Sequence, residues 1–497
     1  MRRLLPLLVL AACGTRGSLY TSPLKPLPLV ATQGALVQVV PQTNRAVVVT
    51  GTTPYTQTVT LSSGARAAVA VPGTDTVAVL TGAPKAPTLD LVDVAGLSAT
   101  VLETPGFFDT VTFSPDGRFG LLTYVAAARG GQLVARNLNE VGLLDTASLS
   151  LRRLQLDTES LAPRSVVFGP VEGARRLVAV TLERGVAVLD ALHPEVPTRR
   201  ISVRPQGSTG DTPVLEAVFS RDAHWLFLRV SGQDDVVAVE LGSEVGAPVS
   251  ASVNFVAGGR GLADIETAPE GTDDAVLAVY ASSKEAFLLD ARGIQDNHRR
   301  LSLTDVAAHV ARMTGTTVLL WNEGSRTVTA WDVKDGRSGV VALDGVASAP
   351  LVVPALDKAL FPLPQVSSSA GTGPALATVS LTDDTNRVRL HLQGVQLAQA
   401  FAASAYDAQG QRLFFSVAGS STVVSMDLRT LQLVELALDA TPQRLFYLPG
   451  TDLVAADHGA LLGDVTFAPA GTSDRAGALR LSDFALSGDL QRPEDAR

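Results

Sequence analysis

Short apolar runs alternate with polar turns along almost the whole chain. The runs are rich in Val, Leu, Ala, Phe and Thr, whereas the turns contain Gly, Asp, Pro and Ser. The periodicity of an amphipathic helix is nearly absent. Strand-length apolar runs with turn residues between them therefore predict an all-β fold.

One phrase recurs, consisting of an apolar strand, a polar turn and a second apolar strand. Clear copies span residues 111–122, 217–228 and 405–415, and weaker copies span residues 69–79 and 167–180. Their turns contain Asp-Gly or related pairs, which tolerate the positive φ angles of tight hairpins. Each copy therefore predicts an antiparallel hairpin.

A further apolar strand that ends in Asp follows these hairpins. The aspartates at such strand ends are Asp93, Asp145, Asp190, Asp290, Asp332 and Asp427. Because Asp side chains accept hydrogen bonds from backbone N–H groups in turns, we interpret these residues as turn-forming and strand-capping. Each leads into another short strand, so that two hairpins make a four-stranded antiparallel meander.

The meander repeats along the chain, with unit starts near residues 66, 110, 164, 215, 263, 309, 350, 403 and 442. The spacing is typical of β-propeller blades, which are roughly 40 to 50 residues long. A single blade leaves both of its faces exposed, whereas a ring of blades buries each face against a neighbour. The repeat therefore predicts one β-propeller.

The motif Phe-Ser-Pro-Asp-Gly at residues 113–117, followed by a strand that ends in Asp, resembles the WD40-like and YVTN-type propeller superfamily. The resemblance covers about residues 60–440 and implies the fold without a particular function. The Trp-Asp pair of WD40 repeats occurs once, at Trp331-Asp332, and so the chain does not have the full WD40 pattern.

Eight blades are the preferred prediction, and seven and nine are alternatives. The strands predicted at residues 45–50 and 56–61 would join C-terminal strands around residues 452–483 in one composite blade. Strands from both ends of the chain would then close the ring.

The N-terminus has the form of a secretion signal, with Arg2 and Arg3 followed by an apolar stretch that is too short to span a bilayer. The segment Leu10-Ala11-Ala12-Cys13 resembles the lipobox of bacterial lipoproteins. This resemblance implies removal of residues 1–12 and acylation of Cys13. Gly14 after the cysteine implies sorting to the outer membrane of a Gram-negative bacterium. The alternative is an ordinary secretory signal with an incidental cysteine.

The predicted domain organisation follows from these features. Residues 1–12 form the signal peptide, residues 13–35 the lipidated cysteine with a flexible Gly-, Ser- and Pro-containing tether, residues 36–487 the propeller and residues 488–497 a disordered tail. Cys13 is the only cysteine, which suits an anchor better than a disulfide.

Charge and motifs limit the chemistry that the sequence predicts. The net charge of −9, spread along the chain, does not predict the basic surface that nucleic-acid binding requires. The six histidines, His193, His224, His298, His309, His391 and His458, show no metal-ligand spacing, and His458 is either a turn residue or a channel-facing one. The Gly-rich segment 257–261 is interpreted as a loop between blades and the segment 381–386 as a hairpin turn. The sequence thus predicts no catalytic residue, cofactor or metal site.

The preferred functional hypothesis is a membrane-anchored extracytoplasmic propeller that binds or scaffolds an envelope protein or polysaccharide. Long inserts at 126–139, 206–213 and 365–374 are candidate binding loops, because loops on rigid scaffolds carry specificity. The alternatives are a channel-mouth enzyme, such as a lactonase-like or glycan-acting hydrolase, and a structural lipoprotein without a ligand. Three or more carboxylates, histidines or arginines at one channel mouth would favour the enzyme.

Overall fold

The computed structural model describes residues 24–486, except positions 54, 127–129, 132–133, 136, 205–209, 211, 369–370 and 385–386. Within these residues, forty strands form ten four-stranded antiparallel sheets, and the strands of each sheet pair in the order in which they occur in the chain. We number the sheets as blades 1 to 10 in chain order. Cys13 and the predicted signal peptide and tail lie outside the described residues.

The strands of blades 1 to 5 are Val30–Ala31, Leu36–Val40, Arg45–Val49 and Gln57–Thr60 (β1–β4); Ala67–Ala70, Thr76–Ala83, Ala86–Asp93 and Ser98–Glu103 (β5–β8); Thr110–Phe113, Phe119–Thr123, Glu140–Asp145 and Ser150–Gln155 (β9–β12); Pro163–Glu172, Arg175–Leu182, Val186–Asp190 and Arg199–Ile201 (β13–β16); and Val214–Phe219, Trp225–Val230, Val236–Leu241 and Ala251–Val256 (β17–β20).

The strands of blades 6 to 10 are Leu262–Thr267, Ala275–Tyr280, Glu285–Asp290 and Arg299–Ser302 (β21–β24); His309–Arg312, Thr317–Trp321, Thr327–Asp332 and Ser338–Ala342 (β25–β28); Leu351–Val353, Lys358–Ser368, Gly371–Asp384 and Arg387–Gln396 (β29–β32); Phe401–Asp407, Arg412–Val417, Thr422–Asp427 and Leu433–Ala437 (β33–β36); and Arg444–Leu448, Leu453–Asp457, Asp464–Pro469 and Leu479–Ser482 (β37–β40). Short 3-10 helices occupy Pro41–Thr43, Gln295–Asn297, Pro354–Leu356, Arg475–Gly477 and Phe484–Leu486.

Burial changes in a regular way across each blade. The second and third strands are buried on both faces, as in β14 and β15, because another blade covers each side. The fourth strands, such as β12 and β36, alternate between half-buried and exposed positions at the outer rim. The first strands pack beside one another, β17 next to β21 and β21 next to β25, yet are mostly half-buried. They therefore line a central channel.

Ten apolar clusters hold the described ring together, one at each boundary between neighbouring blades. The seam between the last and first blades is built like the others, with Leu36 and Val47 of blade 1 beside Leu448 and Phe467 of blade 10. The N–H group of Gly450 also donates to the carbonyl oxygen of Gln33 across this seam at 2.7 Å. The blades thus form one closed β-propeller.

The predicted count of eight blades, with seven or nine as alternatives, is wrong, since the described residues form ten. The composite blade does not exist: β1–β4 make a complete sheet at the N-terminus, and β37–β40 make another at the C-terminus. The ring is closed by side chains that pack between two whole sheets. Blade 1 begins at Val30, within the segment assigned to the tether. The nine predicted starts lie within two residues of the first strands of blades 2 to 10.

The recurrent turn has the same hydrogen bonds in blades 3 and 5. The Ser114 hydroxyl donates to Asp116 at 2.6 Å and accepts from the N–H group of Phe119 at 3.0 Å. Ser220 makes the equivalent bonds with Asp222 and Trp225 at 2.5 and 2.9 Å. These bonds satisfy backbone donors between two buried strands.

The aspartates at strand ends have the predicted turn-capping role. Asp190 accepts from the backbone N–H groups of Arg176 and Leu192, both at 3.0 Å, and Asp427 accepts from those of Arg429 and Thr430 at 2.8 Å.

The predicted loop at 365–374 is wrong, because most of this segment continues the long hairpin of β30 and β31. The described residues contain no helix with the length and hydrophobicity needed to cross a membrane.

Candidate functional site

Three successive blades contribute ionisable side chains to one part of the channel wall. Glu216 lies on β17, Asp264 and Glu266 on β21, and His309 and Arg312 on β25. Arg229, on the second strand of blade 5, lies directly opposite Glu216 in the strand register. We call Glu216, Arg229, Asp264, Glu266, His309 and Arg312 the channel-wall site.

A β-bulge precedes both Glu216 and Asp264. The pairing of β17 with β18 shifts between Val214 and Glu216, and that of β21 with β22 shifts between Leu262 and Asp264. A bulge bends the strand and redirects the side chain that follows it, and bulges are frequent next to functional sites. The two carboxylates thus occupy equivalent positions on neighbouring blades.

Each carboxylate of the site has a basic neighbour. Arg229 Nε lies 3.0 Å from Glu216 Oε2, and Arg312 Nε lies 3.5 Å from Glu266 Oε1. Asp264 Oδ2 accepts from the N–H group of Val310 at 2.8 Å and lies 3.9 Å from His309 Nδ1. Each acidic group of the site therefore has a basic side chain beside it, and Asp264 also lies next to the carboxyl group of Glu216.

The environment changes the acidity of two of these groups. Burial, followed by the negative charge of Glu216, raises the pKa of Asp264 to about 7, although the Val310 N–H group and Arg229 act in the opposite direction. Burial also raises the pKa of Glu266, against the attraction of Arg312. Near neutral pH, Asp264 is thus divided between its protonated and ionised forms and can either donate or accept a hydrogen bond.

The position of His309 depends on the apolar cluster between blades 7 and 8. Its ring stacks on Trp321, with centroids 5.5 Å apart and an interplanar angle of 28°, and Trp321 in turn meets the edge of Phe361 at 6.4 Å. Trp321 is nearly buried. The imidazole is therefore supported by packed aromatic rings beside the carboxyl group of Asp264.

An open cavity of about 410 Å³ adjoins the channel-wall site. Its walls include Phe168 and Phe219 together with Arg221 and Arg312. Phe219, Thr267 and Arg312 are the last residues of β17, β21 and β25, so this cavity lies at the channel mouth formed by the C-terminal ends of the first strands. We call it the mouth cavity.

The sequence-predicted candidates lie elsewhere. Cys13 is outside the described residues. His458 follows β38, where its ring contacts the carbonyl oxygen of Thr441 at 3.2 Å and the Thr466 hydroxyl at 2.8 Å, and it is not part of the channel-wall site. The segment 257–261 connects blades 5 and 6, as predicted, whereas residues 381–384 of the predicted turn 381–386 are the last residues of β31 and residues 385–386 lie outside the described part of the chain. Inserts 126–139 and 206–213 are only partly described.

Sequence reasoning missed the channel-wall site, although a signal for it existed. Aligning the predicted starts at 215 and 263 places Glu216 and Asp264 at the same position of the unit, on the strand that lines a propeller channel. Carboxylate residues at this position contrast with the apolar first strands β5 and β29. Among the described residues, no group of three or more His, Cys, Asp or Glu side chains could hold a metal ion.

No protein-family model matches the sequence, and no curated protein matches it. Among solved structures, the chain is similar to the dihydro-heme d1 dehydrogenase NirN in complex with DHE, with 14% identity over 79% of this chain and 78% of that chain and a TM-score of 0.44. It is also similar to the β-propeller domain of Cps50 (Swd1) from Myceliophteria thermophila, with 14% identity, coverage of 71% and 92%, and a TM-score of 0.34.

A third similar structure is the hydrazine synthase of Kuenenia stuttgartiensis, with 11% identity over 91% of this chain and 97% of that chain and a TM-score of 0.32. Likenesses of this degree carry no argument about activity. The class of protein follows from the ten sheets themselves: the chain is a β-propeller of four-stranded antiparallel blades.

Proposed function

We propose that this propeller is a polysaccharide-binding lipoprotein of the Gram-negative cell envelope, held by acyl chains on Cys13, most simply at the outer membrane. The observation that carries the binding role is the convergence of three carboxylates, two guanidinium groups and one imidazole from three successive blades on the channel wall. The anchor rests on the lipobox-like segment that ends at Cys13.

The chemistry of the channel-wall site suits a polyhydroxylated ligand. Ionised carboxylates accept hydrogen bonds from sugar hydroxyl groups, and guanidinium groups donate to hydroxyl and ring oxygens. The site contains both acidic and basic groups, so it presents both acceptors and donors of hydrogen bonds. The side chains are carried by strands of a packed ring, which reduces the ordering that binding requires.

Binding to immobilised envelope polysaccharide tests this role with the full-length lipidated chain in detergent. We expect Glu216→Gln and Glu266→Gln each to weaken binding about tenfold, the effect of losing a charge-assisted hydrogen bond. Glu103→Gln, on the exposed outer strand β8, is the matched control and should bind like the wild type. Wild-type protein that binds no polysaccharide, or capture of an envelope protein that depends on the same carboxylates, would contradict the proposal.

The proposed anchor has a separate test. Cys13→Ser should abolish incorporation of radiolabelled palmitate and move the protein from the membrane fraction to the soluble fraction. A variant that stays in the membrane fraction without label would show attachment by another route. This result would leave the polysaccharide proposal to be judged by its own experiment.

A second candidate function, a glycan-acting hydrolase, is favoured by the same convergence of carboxyl, imidazole and guanidinium groups, which is the arrangement expected of a channel-mouth enzyme, and by the raised pKa of Asp264 beside Glu216. Glycosidases use one protonated carboxyl group and one carboxylate. Asp264 would give its proton to the departing sugar oxygen, water would replace that oxygen on the sugar carbon, and the proton released by the water would return to the Asp264 carboxylate. Release of reducing ends from envelope polysaccharide that is lost in Asp264→Asn, with binding retained, would favour the enzyme. No release by the wild type would favour simple binding.

A further inference from the structure

The mouth cavity combines an apolar wall with positive charge. Phe168 and Pro170 of blade 4 and Val218 and Phe219 of blade 5 form the apolar part of its lining. Arg221 and Arg312 stand at the same cavity from blades 5 and 7. Its volume of about 410 Å³ lies within the range of small-molecule sites, roughly 300 to 1,000 Å³.

The two guanidinium groups have spare capacity for an anion. Arg221 lies 3.7 Å from Glu270, and Arg312 Nε lies 3.5 Å from Glu266; both distances exceed those of normal charge-assisted hydrogen bonds, roughly 2.7 to 2.9 Å. Glu270 is 83% exposed and is thus weakly held by its partner. An incoming carboxylate could bind both arginines without displacing a short ion pair.

The cavity is held in shape before any ligand arrives. Arg221 is the residue between Ser220 and Asp222, whose side chains bond to each other at 2.5 Å, and Asp222 also accepts from the N–H group of His224 at 3.1 Å. Phe219 belongs to the apolar cluster between blades 4 and 5. Arg221 and Phe219 are therefore attached to backbone that is already fixed by packing and hydrogen bonds. This reduces the conformational entropy that is lost when a ligand binds.

We propose that the mouth cavity binds a small organic carboxylate with an apolar body, the carboxylate on Arg221 and Arg312 and the body against Phe168 and Phe219. This site adjoins the proposed polysaccharide site and shares Arg312 with it. The cationic arginines disfavour an amine. The apolar wall offers few of the hydrogen-bond partners that the hydroxyl groups of a sugar need.

Isothermal titration calorimetry with 4-phenylbutyrate tests the proposal. We expect saturable binding of 4-phenylbutyrate, weaker binding of 4-phenylbutan-1-ol and none of 4-phenylbutylamine. Arg312→Gln and Arg221→Gln should each weaken 4-phenylbutyrate binding about tenfold, as loss of a charge-assisted hydrogen bond does. Arg292→Gln is the matched control, since Arg292 is an exposed arginine that pairs with Asp274. It should bind like the wild type.

Two further variants separate the role of charge from that of the apolar wall. Glu266→Gln removes a carboxylate that competes for Arg312 and should tighten 4-phenylbutyrate binding, a result that damage to the fold would not give. Phe168→Ala, at a half-buried position, should weaken the acid and the alcohol equally. Equal affinity for the acid, alcohol and amine, or unchanged affinity in Arg312→Gln, would overturn the proposal.

Discussion

Glu216 and Asp264 occupy equivalent positions on the first strands of neighbouring blades, each directly after a β-bulge. Burial and the charge of Glu216 raise the pKa of Asp264 to about 7, whereas Glu216 keeps Arg229 as a partner at 3.0 Å. The Asp264 carboxyl group is therefore stabilised in its protonated form, next to a carboxyl group that is paired with an arginine. This difference in environment gives the channel wall its chemistry.

The raised pKa of Asp264 predicts a pH dependence of stability. The unfolded chain loses this proton near pH 4, whereas the folded chain keeps it up to about pH 7, so the folded state binds more protons between these values. The free energy of unfolding should then fall as the pH rises from 4 to 7, by about 4 kcal/mol from this residue. Asp264→Asn should remove the decrease in the free energy of unfolding that Asp264 causes over this pH range.

Denaturant unfolding of the wild type and Asp264→Asn at pH 5 and pH 8 measures this effect. The variant should be less sensitive to pH than the wild type, with its relative stability greatest at pH 8. Glu103→Gln, on the outer rim, should follow the wild-type curve. Parallel curves for Asp264→Asn and the wild type would mean that Asp264 titrates normally.

The seam between blades 10 and 1 can be tested with a disulfide. A Cβ atom on Gly450 would lie 3.5 Å from Cβ of Gln33, within the usual range for disulfides of roughly 3.5 to 4.5 Å. In a Cys13→Ser background the chain has no other cysteine. Gln33→Cys with Gly450→Cys should therefore form an intramolecular bond that increases mobility on non-reducing gels and raises the melting temperature.

The control for this pair is Gln33→Cys with Gly173→Cys, since Gly173 lies in the hairpin turn between β13 and β14 of blade 4 and has no neighbour within 4 Å of a Cβ atom. That pair should stay reduced. Failure of the seam pair to oxidise, with both thiols reactive in the folded protein, would show that blades 1 and 10 do not meet as described.

The serine of the repeated turn should contribute to stability in the same way in two blades. Ser114→Ala and Ser220→Ala each leave a backbone N–H group without its side-chain acceptor, that of Phe119 or Trp225. We expect each to lower the free energy of unfolding by about 1 to 2 kcal/mol. Ser148→Ala, at an exposed turn, should change it by less than about 0.5 kcal/mol. A similar loss in all three would point to an effect unrelated to the turn.

Local chemistry explains why the sequence predicted blade starts well and blade number poorly. Hairpins such as residues 111–122 are encoded by adjacent residues, with Ser114, Asp116 and Gly117 forming the turn. Whether residues 30–60 complete their own sheet or pair with the C-terminal strands depends on contacts between distant segments. The apolar stretch Leu36–Val40 fits either arrangement, and only its packing against Phe467 settles the choice.

The channel-wall site was hidden for a related reason. Glu216, Asp264 and His309 are separated by about a blade each, and aligning the blade starts gives their position in the unit but not the direction of their side chains. Their proximity depends on the alignment of first strands around the axis and on the two bulges before Glu216 and Asp264. Bulges have no reliable signature in a single sequence, so the direction of these side chains could not be predicted.

The pKa of Asp264 is the measurement that tests this description of the channel wall most directly. Carboxyl carbon NMR of protein labelled at aspartate, with Asp264→Asn used to assign the resonance, gives the value in the folded protein. We expect a pKa near 7 that falls in Glu216→Gln, because the charge next to Asp264 is then removed. A value near 4 that Glu216→Gln does not change would contradict the juxtaposition of the two carboxyl groups.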